Sequence, residues 1–296
     1  MDPVLSEGLA RIAEEIDGAF DALLPVPSDA RARLVEAMRY AAIGGGKRLR
    51  PLLLTAVAEM YGVVREAAIR AAVAIESIHV YSLIHDDLPC MDDDAVRHGK
   101  PTLHLAFDEA TAVLAGDSLH AFAFEVLSDS ATSADPFTRI ELVQALGHAS
   151  GAQGMAGGQM MDLVAETSEF DLQTVTRLQQ LKTGALLGAA VEMGAILGRL
   201  PPEGRAHLRG YARDIGLAFQ IADDLIDHEG DASVAGKAVG KDADAGKETF
   251  VSLLGPARAR EQARMLVEQA IGHLAQHGKE ADLLRAVARY IVERDH

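Results

Sequence analysis

Residues 84 to 94 read IHDDLPCMDDD, with five aspartates around one proline. A second acidic set lies in GLAFQIADDLID, residues 216 to 227, where Gln220, Asp223, Asp224 and Asp227 fall at i, i+3, i+4 and i+7. Crowded carboxylates repel one another, and some are pushed to raised pKa values unless a cation joins them. Magnesium suits such a set. It takes oxygen ligands, keeps some of its waters, and links one or two carboxylates to the phosphates of a substrate. One DDxxxxD in isolation reads as solvated surface acid. Two such clusters, each on an apolar segment, point to chelation.

Cations alternate with these acids. GGGKRLRP, residues 44 to 51, joins a glycine-rich turn to Lys47, Arg48 and Arg50. Glycine lets backbone N–H groups approach an anion, and arginine forks onto phosphate oxygens. The spacing is not that of a Walker A loop. Arg97 follows the first acidic cluster, and Lys182-Thr183-Gly184 interrupts an apolar helix. GKAVGKDADAGK, residues 236 to 247, brings Lys237, Lys241 and Lys247 after the second cluster, with the small residues of a mobile flap. Acids alternating with bases suggest metal-chelated diphosphate, and two basic sets suggest two diphosphates. No Ser-His-Asp arrangement and no strand-turn-helix glycine signature is evident. Cys90 reads as incidental rather than nucleophilic.

These side chains need rigid helices behind them. The stretch from about Ala68 to His85 lacks a polar face of ordinary width, which predicts a buried central helix. His79, Ser82 and Asp86 share one face of it at i, i+3 and i+7. Asp92 is out of that register, since six residues turn an ideal helix about 120° off the starting face. Pro89 can break the helix and let the chain swing Asp92 back beside Asp86. The second acidic set predicts a narrow polar stripe on an otherwise apolar helix lining a polar cavity. Ala263, Leu266, Val267, Ala270 and Leu274 repeat the helical spacing, with Gly278 as the expected stop. Leu284, Val287, Ala288 and Ile291 do so again. Prolines punctuate the helices, and no alternating strand, repeat or linker is visible. The pattern predicts an all-α protein, one domain over residues 1–296 with about ten helices.

Composition agrees. The 296 residues are rich in Ala, Leu, Glu and Arg, poor in aromatics and free of tryptophan. A net charge of −16 excludes nucleic acid as a partner and favours solubility. Cys90 is the single cysteine, so there is no intramolecular disulfide, and a reducing cytoplasm fits. The first twenty residues lack a basic region followed by an apolar core. No uninterrupted apolar run approaches the ~20 residues of a membrane span.

DDLPCMDDD, GGKRLRP, KTG, FQIADDLID and GKDADAGK, with GMAGGQMMD at 154 to 162 and YIVER near the C-terminus, together resemble the trans-prenyltransferases of the polyprenyl synthetase family. Within that family they are most like the bacterial farnesyl diphosphate synthases. The resemblance runs over nearly the whole chain with the motifs in order. It implies the isoprenoid synthase fold around a deep central active-site cavity, usually in a homodimer. The implied reaction joins isopentenyl diphosphate head-to-tail to an allylic diphosphate, giving farnesyl diphosphate. By the same resemblance Asp86, Asp92 and Asp223 bind three Mg2+ ions, with Asp87 and Asp227 in support. Arg97, Lys182 and Lys237 hold the allylic diphosphate, and Lys47, Arg50 and His79 hold isopentenyl diphosphate. Thr183 and Gln220 line the space where the allylic cation forms.

One departure stands out. The family usually has two arginines before the glycine of GKPT, and here the sequence is Arg97-His98-Gly99. Imidazole is the poorer partner for isopentenyl diphosphate, so binding is expected to weaken as pH rises through the His98 titration. His85, next to the acids, is left unassigned. Tyr81 lies five residues before Asp86, about 7.5 Å along an ideal helix, where its ring can floor the cavity and set a C15 product. A geranylgeranyl diphosphate synthase is the alternative within the family. A non-catalytic partner subunit is a further one, although such a chain would be expected to lose aspartates or basic residues. A terpene cyclase usually lacks GGKRLRP and the second aspartate motif.

Overall fold

The structure is a computed structural model and describes residues 2–229 and 248–293. Helix follows helix: α1 (Pro3–Leu23), α2 (Ala32–Ala42), α3 (Leu49–Met60), α4 (Arg65–Asp86), α5 (Leu103–Ala106), α6 (Glu109–Ser128), α7 (Pro136–Ser150), α8 (Met155–Ala165), α9 (Leu172–Gln179) and α10 (Ala185–Leu197). They continue with α11 (Ala206–Glu229), α12 (Phe250–Leu254), α13 (Pro256–His273) and α14 (Asp282–Glu293). The chain forms two compact units, Ser6–Val143 and Met1–Leu5 with Gln144–His296. One antiparallel pair interrupts the helices, β1 (Val96–Arg97) with β2 (Lys100–Pro101), in the register Val96↔Pro101 and Arg97↔Lys100. Two residues per strand are too few for alternation to show in the sequence.

In the first unit α4 is the buried centre that its composition predicts. Ala68, Ala71 to Ile78, Val80 and Ile84 are all buried. Helices α3 and α6 pack against it. Its alanines bring the backbones close, and each buried isoleucine adds about 1.5–3 kcal/mol over exposure. At its N-terminal end α6 is capped by Asp108, whose Oδ1 accepts the Thr111 N–H at 2.7 Å. That bond, with Arg33 beside it, holds the Asp108 carboxyl down to about 2.

By length and composition both α4 and α6 are apolar enough to cross a membrane. Neither is an uninterrupted run, because Glu76 and His79 break the first and Asp117, His120 and Glu125 the second. In α4, 61% of the apolar window is buried within the protein, against 44% in α6. Helix α4 is therefore a core helix, whereas α6 leaves Val113 and Leu114 outward among Asp117, His120 and Glu125.

In the second unit α11 packs against α10, α13 and α14. Tyr211 of α11 is wholly buried and donates to the Leu284 carbonyl at 2.8 Å. The periodic residues Leu284, Val287, Ala288 and Ile291 of α14 are all buried, as their spacing predicts. Helix α13 ends at His273, earlier than the expected stop at Gly278. Arg285 donates to the carbonyl of Leu274, which caps the helix, at 2.9 Å and to that of His277 in the following turn at 2.6 Å.

Candidate active site

The first acidic cluster is a turn that closes on itself. Past Asp86 the backbone folds back until the Asp92 N–H meets the Asp86 carbonyl at 2.8 Å. Met91 and Asp93 both donate to the Leu88 carbonyl, and Asp93 takes φ 50. The return of Asp92 toward Asp86, expected from Pro89, is thus present in the backbone. Asp92 is exposed and Asp86 half-buried. Asp87 points inward and is only 3% exposed. Arg97 Nε donates to its Oδ1 at 2.9 Å, and Arg97 Nη2 reaches Asp94 at 3.2 Å. Burial pushes the Asp87 carboxyl up, and the Arg97 guanidinium pulls it partly back. Asp87 therefore holds Arg97 beside the turn, while Asp86 and Asp92 keep their side chains accessible.

The basic turn lies close to this cluster. Gly44 and Gly46 both have φ 75, which an L side chain strains to adopt. Arg48 is left-handed too, at φ 51, and wholly internal. Its guanidinium donates to Glu76 at 2.8 Å, Asp17 at 2.7 Å and the Ala42 carbonyl at 2.5 Å. A buried charge network of this kind contributes little net stability when intact, and breaking one arm is costly. Arg48 thus anchors the turn, leaving Lys47 exposed and Arg50 half-buried.

His98 and Gly99, at φ 51 and 75, form the two-residue turn between β1 and β2, the type I′ pattern of positive φ at both positions. That turn lays the His98 ring on the glycines. A Cβ on Gly45 would sit 3.4 Å from His98 Cδ2, and one on Gly46 would sit 3.7 Å from Nε2. His79 of α4 completes the set. Burial, followed by the charges of Arg50, His98, Arg48 and Arg97, drives its imidazole well below its usual pKa. Five groups predicted or found to be basic thus converge on one end of α4. Arg97 joins them to the acids, since Asp86 also lies within its electrostatic reach.

The second unit carries the other acidic set on α11. Gln220, Asp223 and Asp227 are half-buried, but Asp224 is not part of their stripe. It turns into the core, where Oδ2 accepts the Phe250 N–H at 2.8 Å. That N–H opens α12 and lacks an intrahelical partner, so an anion beside it is stabilised. The expected four-residue stripe is therefore three residues wide.

Lys182 and Thr183 sit in a π-helical turn, Gln180–Gly184, set between α9 and α10. Such turns are frequent at functional sites. Helix α8 presses on it: a Cβ on Gly158 would lie 2.2 Å from the Lys182 nitrogen. Lys182 Nζ donates to Asp162 Oδ2 at 2.8 Å. Asp162 was not singled out in the sequence as a functional residue, although it ends the GMAGGQMMD stretch. Lys237 lies outside the described residues.

Tyr81 stands one turn before His85 on α4, between that ring and His120 of α6. Burial and then the Asp86 charge push its phenol up. The ring is thus near the acidic turn, as its spacing predicts.

An all-helical scaffold with an accessible carboxylate turn beside a glycine-rich basic one defines a protein built to grip small polyanions. Residues 31–290 match the polyprenyl synthetase family, and the chain belongs to that family. The fold is that of the isoprenoid synthases. The farnesyl diphosphate synthase of Escherichia coli is 43% identical over 298 residues, covering 99% of both chains. That of Haemophilus influenzae is 42% identical over 291 residues, covering 98% of both. The crystal structure of an FPP/GFPP synthase from Zymomonas mobilis is 60% identical, with a TM-score of 0.89, covering 97% of this chain and 98% of that one. Geranylgeranyl diphosphate synthases also match, at 41% and 39% identity.

Proposed function

We propose that this chain is a magnesium-dependent prenyltransferase that condenses isopentenyl diphosphate with dimethylallyl or geranyl diphosphate, giving farnesyl diphosphate and free diphosphate. The observation that carries this reading is the end of α4, where Asp86 and Asp92 adjoin the basic groups gathered around His79. The donor set fits magnesium because it is all oxygen. Magnesium ordinarily joins one or two carboxylates to waters and phosphate oxygens, a role these acids would suit. Bound with Asp86, Asp92 and Asp223, three such ions would supply Lewis-acid stabilisation of the departing diphosphate.

The side chains do the rest. Arg97, Lys182 and Lys237 bind the allylic diphosphate and stabilise the charge that develops as its C1–O bond breaks. Lys47, Arg50, His79 and His98 hold isopentenyl diphosphate so that its alkene is positioned to attack. Thr183 and Gln220 present their dipoles to the allylic cation. The released diphosphate takes the final proton, so no side-chain base is required. Tyr81 floors the chain path and favours a C15 product. A longer product is the second reading, favoured by the 60% identity to an FPP/GFPP synthase.

We place the enzyme in the cytoplasm, where the exposed thiol of Cys90 stays reduced. The outward residues Val113 and Leu114 of α6, 41% and 56% exposed, are assigned to a second copy of the chain in a homodimer.

Turnover by the purified protein tests the activity. With isopentenyl diphosphate, geranyl diphosphate and Mg2+, mass spectrometry should find a C15 diphosphate, and EDTA should abolish it. No condensation with any allylic diphosphate in the presence of Mg2+ would overturn the reading.

A further inference from the structure

Tyr81 meets two histidine rings. His120 meets its ring edge-to-face, with 5.1 Å between centroids and 89° between planes. Phe124 in turn meets His120 at 5.3 Å and 64°. His85 also meets Tyr81, at 5.7 Å and 73°, and its Nε2 lies 3.2 Å from the Val113 carbonyl. The step from Tyr81 to His85 along α4 matches a step back from His120 to Val113 along α6, so the two helices run antiparallel. Phe124 therefore lies a turn beyond His120, on the side away from Asp86. Gly116 permits this packing, since a Cβ there would fall 2.1 Å from His85 Nε2.

An aromatic side chain turns about two bonds, and its second torsion is broad. Something must fix the plane of the Tyr81 ring if the ring is to stop a growing chain. His85 steadies one edge. His120 packs against the same ring edge-to-face from α6.

We propose that His120 is a specificity-determining residue for product length, bracing the Tyr81 ring across the path of the growing chain, with Phe124 the next barrier along α6. This rests on the reading of Tyr81 as the floor of that path. Without His120 the Tyr81 ring swings into the vacated space, and the same condensation runs for another five-carbon unit before Phe124 blocks it.

The test is the product distribution by mass spectrometry, with geranyl diphosphate as starter and excess isopentenyl diphosphate, for the wild type and for Tyr81→Ala, His120→Ala and His120→Phe. Tyr81→Ala should lengthen the product. His120→Ala should raise the ratio of longer products to the wild-type main product about fivefold, the scale of one lost edge-to-face pair. His120→Phe should restore the wild-type ratio, which a merely structural role would not require. Should His120→Ala fail to fold, His120→Leu takes its place and is expected to lengthen the product as well. Lengthening by Tyr81→Ala with none from His120→Ala or His120→Leu overturns the proposal and leaves the Tyr81 reading standing. Equal lengthening by the Ala and Phe variants also overturns it. If Tyr81→Ala changes nothing, the floor itself is misassigned and His120 loses its role with it.

Discussion

Burial, followed by the charges of Arg50, His98, Arg48 and Arg97, opposes protonation of His79. A histidine whose folded pKa is depressed stabilises the fold above its ordinary value near 6.5, and that stability is lost as pH falls. A bound diphosphate reverses the local field and draws a proton onto the ring. Titration calorimetry at pH 6 in buffers of different ionisation enthalpy should therefore show proton uptake when inorganic diphosphate binds, and His79→Gln should reduce it. Unchanged uptake in that variant would remove His79 from the anion site. The basic turn shows where sequence stops being sufficient. Lys47, Arg48 and Arg50 are equivalent as letters, and only Arg48 turns inward. Its partners Glu76 and Asp17 lie 28 and 31 residues away, so nothing local marks it. Asp86 and Asp92 were legible because a proline and a register mismatch are local facts. Asp224 was misplaced because its partner, the Phe250 N–H, is 26 residues distant.

At the level of elements, apolar periodicity disclosed α13 and α14, since burial of one face is what selects such spacing, while a missing polar face marked α4 and a narrow polar stripe marked α11. It could not disclose the π-helical turn at Lys182, because one widened turn barely disturbs the pattern of apolar residues. The turn is visible instead through its neighbours: Gly158 gives the backbone room, and Asp162 fixes the ammonium. The pair is partly shielded, with Lys182 30% and Asp162 15% exposed, so it orients Lys182 more firmly than a surface ion pair would. On the proposed role of Lys182, Asp162→Asn should lower kcat/KM for the allylic diphosphate roughly tenfold by misplacing one charge-assisted contact. The KM for isopentenyl diphosphate should stay unchanged, and Asp162→Glu should recover part of the loss. Steady-state kinetics with each substrate varied in turn decides the matter. An equal fall for both substrates would mean that Asp162 supports the fold rather than Lys182.

For the molecule as a whole, the unresolved balance is between charge and apolar surface. A net charge of −16 makes two copies repel at long range. Association must then come from short-range apolar burial, and α6 offers it. The helix is apolar enough to span a bilayer, yet less than half of that window is buried within the chain. Val113 and Leu114 lie on its outward side, which also carries Asp117 and Glu125. A glutamate at Leu114 is solvated in a lone chain and buried unpaired in a dimer, so it separates the two states cleanly. Light scattering coupled to size exclusion should find the wild type at twice the chain mass and Leu114→Glu at the chain mass, with helical content unchanged by circular dichroism. A wild type that elutes as a single chain at micromolar concentration would leave this face to some other partner.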